Sequence, residues 1–469
     1  MRNWFQRKTR RQLARPRPLA VELLDDRCLP AASAGFFQTN LVADQPGVAA
    51  LTDPNLINPW GVVIGPVSGA FWVADNGTGR STQYVGDVNG TPLTPFTSPA
   101  VVTGLGAPTG LVANTTADFV IHGPADESGP AAFIFVSEDG TVSGWNPSVP
   151  GPPTSTRAEP AASVPGAIFK GVALASTAAG NFLYAADFHG GKIDVFDGNF
   201  HPTTLAGSFA DPSLPAGFAP FNVQNIGGQL FVTYAQQDTA GRTDVPGPGK
   251  GFVDVFDTSG HMLRRLVSGG SLNAPWGLAV APASFGPFGG ALLVGNFGDG
   301  HINAFDPNTG AALGTVTGAG GQPLTIPGLW GLTFGNGTTS GGAGTLYFTA
   351  GPGKGTHGLF GSVRSAATPL VVGAGAGGAS TVKVFNPDGT LRSTFNAFDP
   401  NFRGGVRVAV GDVTGDGVPD VVAGAGPGGG PRVDIFDGAS GQLVRSFFAY
   451  GSSFTGGVFV AVGDVTGDG

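Results

Sequence analysis

The sequence predicts an all-β protein, a six-bladed β-propeller over residues 36–365 followed by a shorter β-repeat segment over 366–469. Three observations carry this reading. The 81 glycines and 38 prolines of the 469-residue chain punctuate many short apolar runs such as "GALLVGNF", and 35 phenylalanines supply core that disordered chains lack. Stretches with helical periodicity are almost absent. A loose pattern recurs six times at intervals of 50–60 residues, and a tighter one of 51–52 residues takes over after residue 365.

In chain order, residues 1–35 come first. Residues 1–30 carry eight Arg/Lys against three acids, which leaves −13 for the remainder of a chain whose net charge is −8. The arm is basic and reads as disordered, without the 7–15-residue apolar core of an ordinary secretory signal. An acidic, lysine-poor body lacks the basic footprint that nucleic-acid phosphates require. No apolar run reaches 18 residues, so no helical membrane span is expected. The single cysteine, Cys28, lies in this leader and leaves the body without an intrachain disulfide or a thiolate metal site.

The six repeats share a Pro-x-Gly-like start, an apolar strand ending in a small or acidic residue, a Gly turn, and a strand often ending in Phe-Asp. They begin at Asn58 ("NPWGVVIG"), Ala107 ("APTGLVA"), Ile168 ("IFKGVALA"), Ala219 ("APFNVQN"), Ala274 ("APWGLAVA") and Pro327 ("PGLWGLTF"). This spacing suits a four-stranded blade, which buries both faces only when stacked in a ring. The early strand "FFQTNLVAD" (36–44) is expected to complete the last blade and latch the ring.

Asp75, Asn76, Glu138, Asp187 and Asn296 each end the second strand of a repeat and are candidates to face the ring centre. A set of such oxygens would suit a hard divalent cation. The alternative is that they cap turns, since Asp and Asn bond their own backbone. The matching positions of the fourth and sixth repeats are Tyr234 and Ala350, which leaves the polar set incomplete and favours capping. Trp60, Trp276 and Trp330 occupy equivalent positions in three repeats, either as a sugar or aromatic platform or, as recurrence in register favours, as packing between blades. The histidines do not cluster. The two "GPGKG" stretches, from 247 and from 351, read as turns because no helix with Lys-Ser/Thr follows.

After residue 365, "GDVTGDGVPD" (411–420) places Asp412, Asp416 and Asp420 at positions 1, 5 and 9 of one loop, with Thr414 at 3 and Val418 at 7. Three carboxylates so close repel one another unless a cation joins them, and this alternation is expected to supply the oxygen cage of Ca²⁺, the alternative being an Asx-turn hairpin without metal. The chain stops at "GDVTGDG", so Asp464 and Asp468 repeat the motif without its positions 7 and 9, and the stop reads as a truncation.

Several of these stretches resemble known families. "VELLDDRCLPA" (21–31) resembles a segment near the N-terminus of many planctomycete exported proteins, which implies export to the extracellular space or cell surface. The repeat pattern resembles six-bladed NHL- and SMP-30-like propellers. More narrowly, "TNLVADQPGVAALTDPNLINPWG" (39–61) and "FWVADNGTG" (71–79) resemble an uncharacterised bacterial propeller family among PEP-CTERM-sorted and planctomycete exported proteins. The loop at 411–420, with "AGAGPGG" (423–429) after it, resembles FG-GAP/VCBS calcium repeats, although Thr414 stands where many members carry Asp or Asn. The resulting expectation is an exported, non-catalytic binding or scaffolding propeller with a surface ligand, protein or glycan, and Ca²⁺-stabilised FG-GAP repeats. The alternative is a metal-dependent hydrolase or lactonase in the propeller channel.

Overall fold

The computed structural model describes residues 35–88, 91–97, 101–151, 155–318, 321–365, 369–385, 391–411, 413–414, 419–438 and 440–462. The expected leader therefore lies, except for residue 35, outside the described residues. Ala34–Gly469 form one compact unit.

Six antiparallel sheets form the propeller, each beginning at one of the six repeat starts. Their innermost strands are Pro59–Ile64, Pro108–Ala113, Phe169–Thr177, Phe218–Ile226, Pro275–Val280 and Leu329–Phe334. Each innermost strand packs on that of the next sheet, and the sixth packs on the first, which closes the ring. Blade 3 shows the plan: Phe169–Thr177, Gly180–Asp187, Lys192–Phe196 and Pro202–Thr203 pair in chain order from the centre outward. Blade 2 adds a small hairpin, Val120–His122 with Ser128–Pro130, between its first two strands.

Blade 6 is completed from the other end of the chain. Phe36–Ala43 pairs antiparallel with Leu359–Ser365, from Phe36 opposite Ser365 to Ala43 opposite Leu359, as the sequence predicts. Strand periodicity sends alternate side chains to opposite faces. Val42 therefore packs with Phe71 and Tyr84 of blade 1, while Phe36 and Ala43 join Phe285 and Leu293 of blade 5.

Each of the six junctions between blades holds its own buried apolar cluster. Between blades 1 and 2, for example, Trp72 stacks on Phe133 with centroids 3.9 Å apart and leans on Trp145 at 4.7 Å. The innermost strands obey the same alternation: Val172 and Leu174 face blade 2, and Ala173 and Ala175 face blade 4. Apolar area is thus distributed around the ring, which explains why every repeat needs both of its neighbours.

Beyond residue 369 two more sheets follow. Leu370–Gly373, Thr381–Phe385 and Leu391–Asn396 form the first. Val406–Gly411, Asp420–Ala425, Arg432–Phe436 and Leu443–Phe448 form the second. Val382 and Val384 of one pack against Val406, Val421 and Ala423 of the other, and Val458 covers the far face of the second. No helix of the described residues is long and apolar enough to cross a membrane.

Candidate functional site at the ring centre

All six innermost strands share one irregularity near their start. In each, the inner strand carries one residue more than the second strand it pairs with, a β-bulge lying between Pro59 and Val62 in blade 1 and between Pro275 and Gly277 in blade 5. The same shift occurs in blades 2, 3, 4 and 6. An extra residue in one strand breaks the alternation and re-aims a side chain. The residues at this position are Trp60, Thr109, Lys170, Phe221, Trp276 and Trp330.

Four of the six are aromatic, and they converge. Trp60 stacks on Trp330 at 3.5 Å between centroids, and Trp276 meets both edge-on at 6.2 and 5.8 Å. Phe297 stacks on Trp330 from blade 5 at 4.1 Å, and Phe221 approaches it at 5.9 Å. The three tryptophans are only 3–4% exposed, so their faces are occupied by one another and offer no platform for a sugar. Packing was the favoured expectation, and it takes the form of a plug across one end of the channel.

Lys170 completes the plug. Its ammonium lies 4.9 Å above the Trp60 ring and 2.5 Å from Glu138 Oε1. Glu138 Oε2 accepts from Asn76 Nδ2 at 3.1 Å, Asn76 Oδ1 from Asn58 Nδ2 at 3.0 Å, and Asn58 Oδ1 from Trp330 Nε1 at 3.2 Å. A hydrogen-bonded chain therefore crosses blades 3, 2, 1 and 6 and satisfies a buried ammonium. Nearby in charge terms, burial pushes the Asp244 carboxyl up to about 6, with the attraction of Lys170 opposing it.

The five sequence candidates do not form one ring-facing set. Only Asn76 and Glu138 meet. Asp187 Oδ1 accepts the backbone N–H groups of Ile168 and Gly190 at 3.0 and 2.9 Å, which is turn capping. Asn296 donates to Ser271 O at 2.8 Å and to Asp299 Oδ1 at 3.1 Å within blade 5. Asp75 is fully buried in blade 1, where burial raises its pKa well above the ordinary carboxylate range. Tyr234 and Ala350, at the matching positions of blades 4 and 6, are core residues. Lys170 was missed as a site residue. Its signal was a lysine at the Pro-x-Gly position of the otherwise apolar "IFKGVALA".

Behind the plug lies a cavity of about 420 Å³ bounded by the innermost strands of all six blades. Its wall includes Gly61, Gly110, Val172, Leu278 and Gly331, with Trp276 at the plugged end. No charged side chain lines it. Its polar side chains are Asn222, Gln224 and Asn225 of blade 4 and Thr333 of blade 6.

Among the tail residues, Asp420 is buried at the start of its strand. Its Oδ2 accepts the N–H groups of Val413 and Thr414 at 2.7 and 2.8 Å, and its Oδ1 that of Gly438 at 2.8 Å. Asp412, Asp416, Val418, Asp464 and Asp468 lie outside the described residues. Among the described residues no group of three or more His, Cys, Asp or Glu is placed to hold a metal ion.

No family model matches the chain. Three uncharacterized proteins of Acanthamoeba polyphaga mimivirus are similar to it. Protein R648 is 38% identical over 301 residues, covering 62% of this chain and 72% of that one. Protein L690 is 35% identical over 343 residues, covering 71% and 87%. Protein R640 is 31% identical over 289 residues, covering 60% and 52%. These relatives are viral, whereas the resemblance read from the sequence pointed to bacterial exported proteins. Among solved structures, a Bacteroides thetaiotaomicron protein of unknown function aligns at a TM-score of 0.41 and 12% identity over 71% of this chain and 74% of that one. A catalytically inactive virginiamycin B lyase from Staphylococcus aureus aligns at 0.36 and 9% identity over 87% and 97%. At these scores nothing is carried over from either structure.

Proposed function

The chain belongs to the family of the mimivirus proteins R648 and L690, and we propose that it works as a non-catalytic binding or scaffolding propeller whose ligand enters the central channel. The observation that carries this reading is the channel wall, which lacks charged side chains and whose asparagines are already engaged. Asn222 Nδ2 donates to Trp276 O at 2.8 Å, and Asn225 Nδ2 donates to Leu174 O at 2.9 Å. Catalysis of hydrolysis needs a positioned base, acid or Lewis acid at the reacting bond. Two of the candidate carboxylates are engaged elsewhere, Glu138 with Lys170 and Asp187 with its own turn.

Two finer parts belong to the same proposal. The tail is of FG-GAP/VCBS type and holds Ca²⁺ through Asp412, Thr414, Asp416, Val418 and Asp420, supported by the oxygen spacing of the loop. The protein is exported to the cell surface or beyond, supported by the segment at 21–31.

Incubation of the full chain with γ- and δ-lactones in the presence of Ca²⁺, Mn²⁺ or Zn²⁺ tests the main reading. No turnover above the uncatalysed rate is expected. Turnover lost on Glu138→Gln would instead establish the hydrolase alternative.

A further inference from the structure

Each innermost strand has a sheet partner on one side only, so six unpaired backbone edges face the channel. Many of their side chains alternate into the junctions between blades, and the cavity wall combines the edges themselves with glycines, aliphatic groups such as Val62, Leu111 and Leu332, and a few polar tips. Side chains meet some of these edge groups, Asn222 at Trp276 O, Asn225 at Leu174 O and Trp276 Nε1 at Lys170 O, and the remaining N–H and C=O groups at the cavity need water or a ligand. Gln224 adds to this demand. It is half-buried in the cavity wall, and its amide has no hydrogen-bond partner among the described residues.

From this wall we infer that the channel is a blind site for a neutral, hydroxyl-rich small ligand of mono- or disaccharide size, read by the Gln224 amide and the strand edges. Each hydroxyl both donates and accepts, which matches a wall that alternates N–H and C=O and carries an amide. A charged ligand would be desolvated without a counter-charge. An apolar ligand would leave the strand edges unsatisfied. A threaded polypeptide is stopped by the layer of Trp60, Trp276 and Trp330. The cavity of about 420 Å³ falls in the range of roughly 300–1,000 Å³ usual for small-molecule sites.

This inference rests on the binding reading above and names its ligand class. Isothermal titration of the full chain with glucose, galactose, maltose, cellobiose and trehalose tests it, with glucuronate as the charged arm. At least one neutral sugar is expected to give saturable one-to-one heat, and glucuronate none. Gln224→Leu is expected to weaken that binding at least tenfold, and Thr333→Val to weaken it less, with circular dichroism unchanged in both. The inference is overturned if no neutral sugar binds up to about 10 mM, where even a millimolar site would saturate. Equal affinity in the folded Gln224→Leu variant, or preference for glucuronate, overturns it as well. Following the titrated sugar by proton NMR separates the two readings: a sugar that binds and is then cleaved upholds the site and refutes the non-catalytic reading.

Discussion

Lys170 and Asp75 are both buried ionisable groups, and the ring treats them in opposite ways. Lys170 is paired with Glu138 and lies over the Trp60 face, contacts that stand in for lost water. Asp75 has no ion pair at hydrogen-bond distance among the described residues, and burial favours its neutral acid. A carboxyl whose pKa is raised in the folded state binds a proton more tightly there than in the unfolded chain. Its contribution to stability is complete below the unfolded value and is lost as pH rises through the folded one. Asp244, raised to about 6 by burial, acts in the same direction. Denaturant melts of the full chain between pH 4 and 8 should therefore show stability falling with pH on account of these groups. Asp75→Asn should flatten that slope and be the more stable protein at pH 8. An unchanged slope in the variant would show that the Asp75 carboxylate is ionised and compensated throughout this range.

At the scale of the blade, the bulge sets the channel's shape, and it was the feature least legible in the sequence. The Pro-x-Gly starts at Asn58, Ala107, Ile168, Ala219, Ala274 and Pro327 marked every inner strand, and "FFQTNLVAD" marked the closing one. Both are strand-scale patterns of apolar residues and turns, which sequence periodicity encodes directly. The bulge is not periodic. Trp60, Trp276 and Trp330 stood in visible register, but Thr109, Lys170 and Phe221 share their position without sharing their chemistry. At the ends of the second strands the favoured capping reading holds for Asp187, whereas Asp75, its equivalent in the repeat, is fully buried, so the repeat position alone does not set a side chain's partners. The glycine after the bulge also has a role that composition alone does not reveal. A Cβ on Gly277 would lie 2.5 Å from Trp330 O and 2.8 Å from Leu332 Cγ of the neighbouring blade. Gly277→Ala should force the two blades apart and cost about 1–3 kcal/mol. The midpoint of urea unfolding would fall at unchanged slope, and an unshifted midpoint would mean that the junction yields freely.

The whole molecule combines a ring latched by its first strand with two further sheets that carry the aspartate loop. The propeller leaves only short strand edges on its outside and gathers six inner ones at the centre, so the architecture itself creates a cavity that offers hydrogen bonds. The plug closes one end with aromatic rings rather than with ligands for a metal. The central claim is that hard-cation chemistry belongs to the tail loop and that the channel is built for a neutral ligand. Anomalous difference maps from crystals of the full chain grown with Ca²⁺ and soaked in Mn²⁺ test this most directly. The account predicts a peak among Asp412, Asp416 and Asp420 and none within the channel bounded by Gly61, Gly110 and Gly331. A peak in the channel, with none at the tail loop, would contradict it.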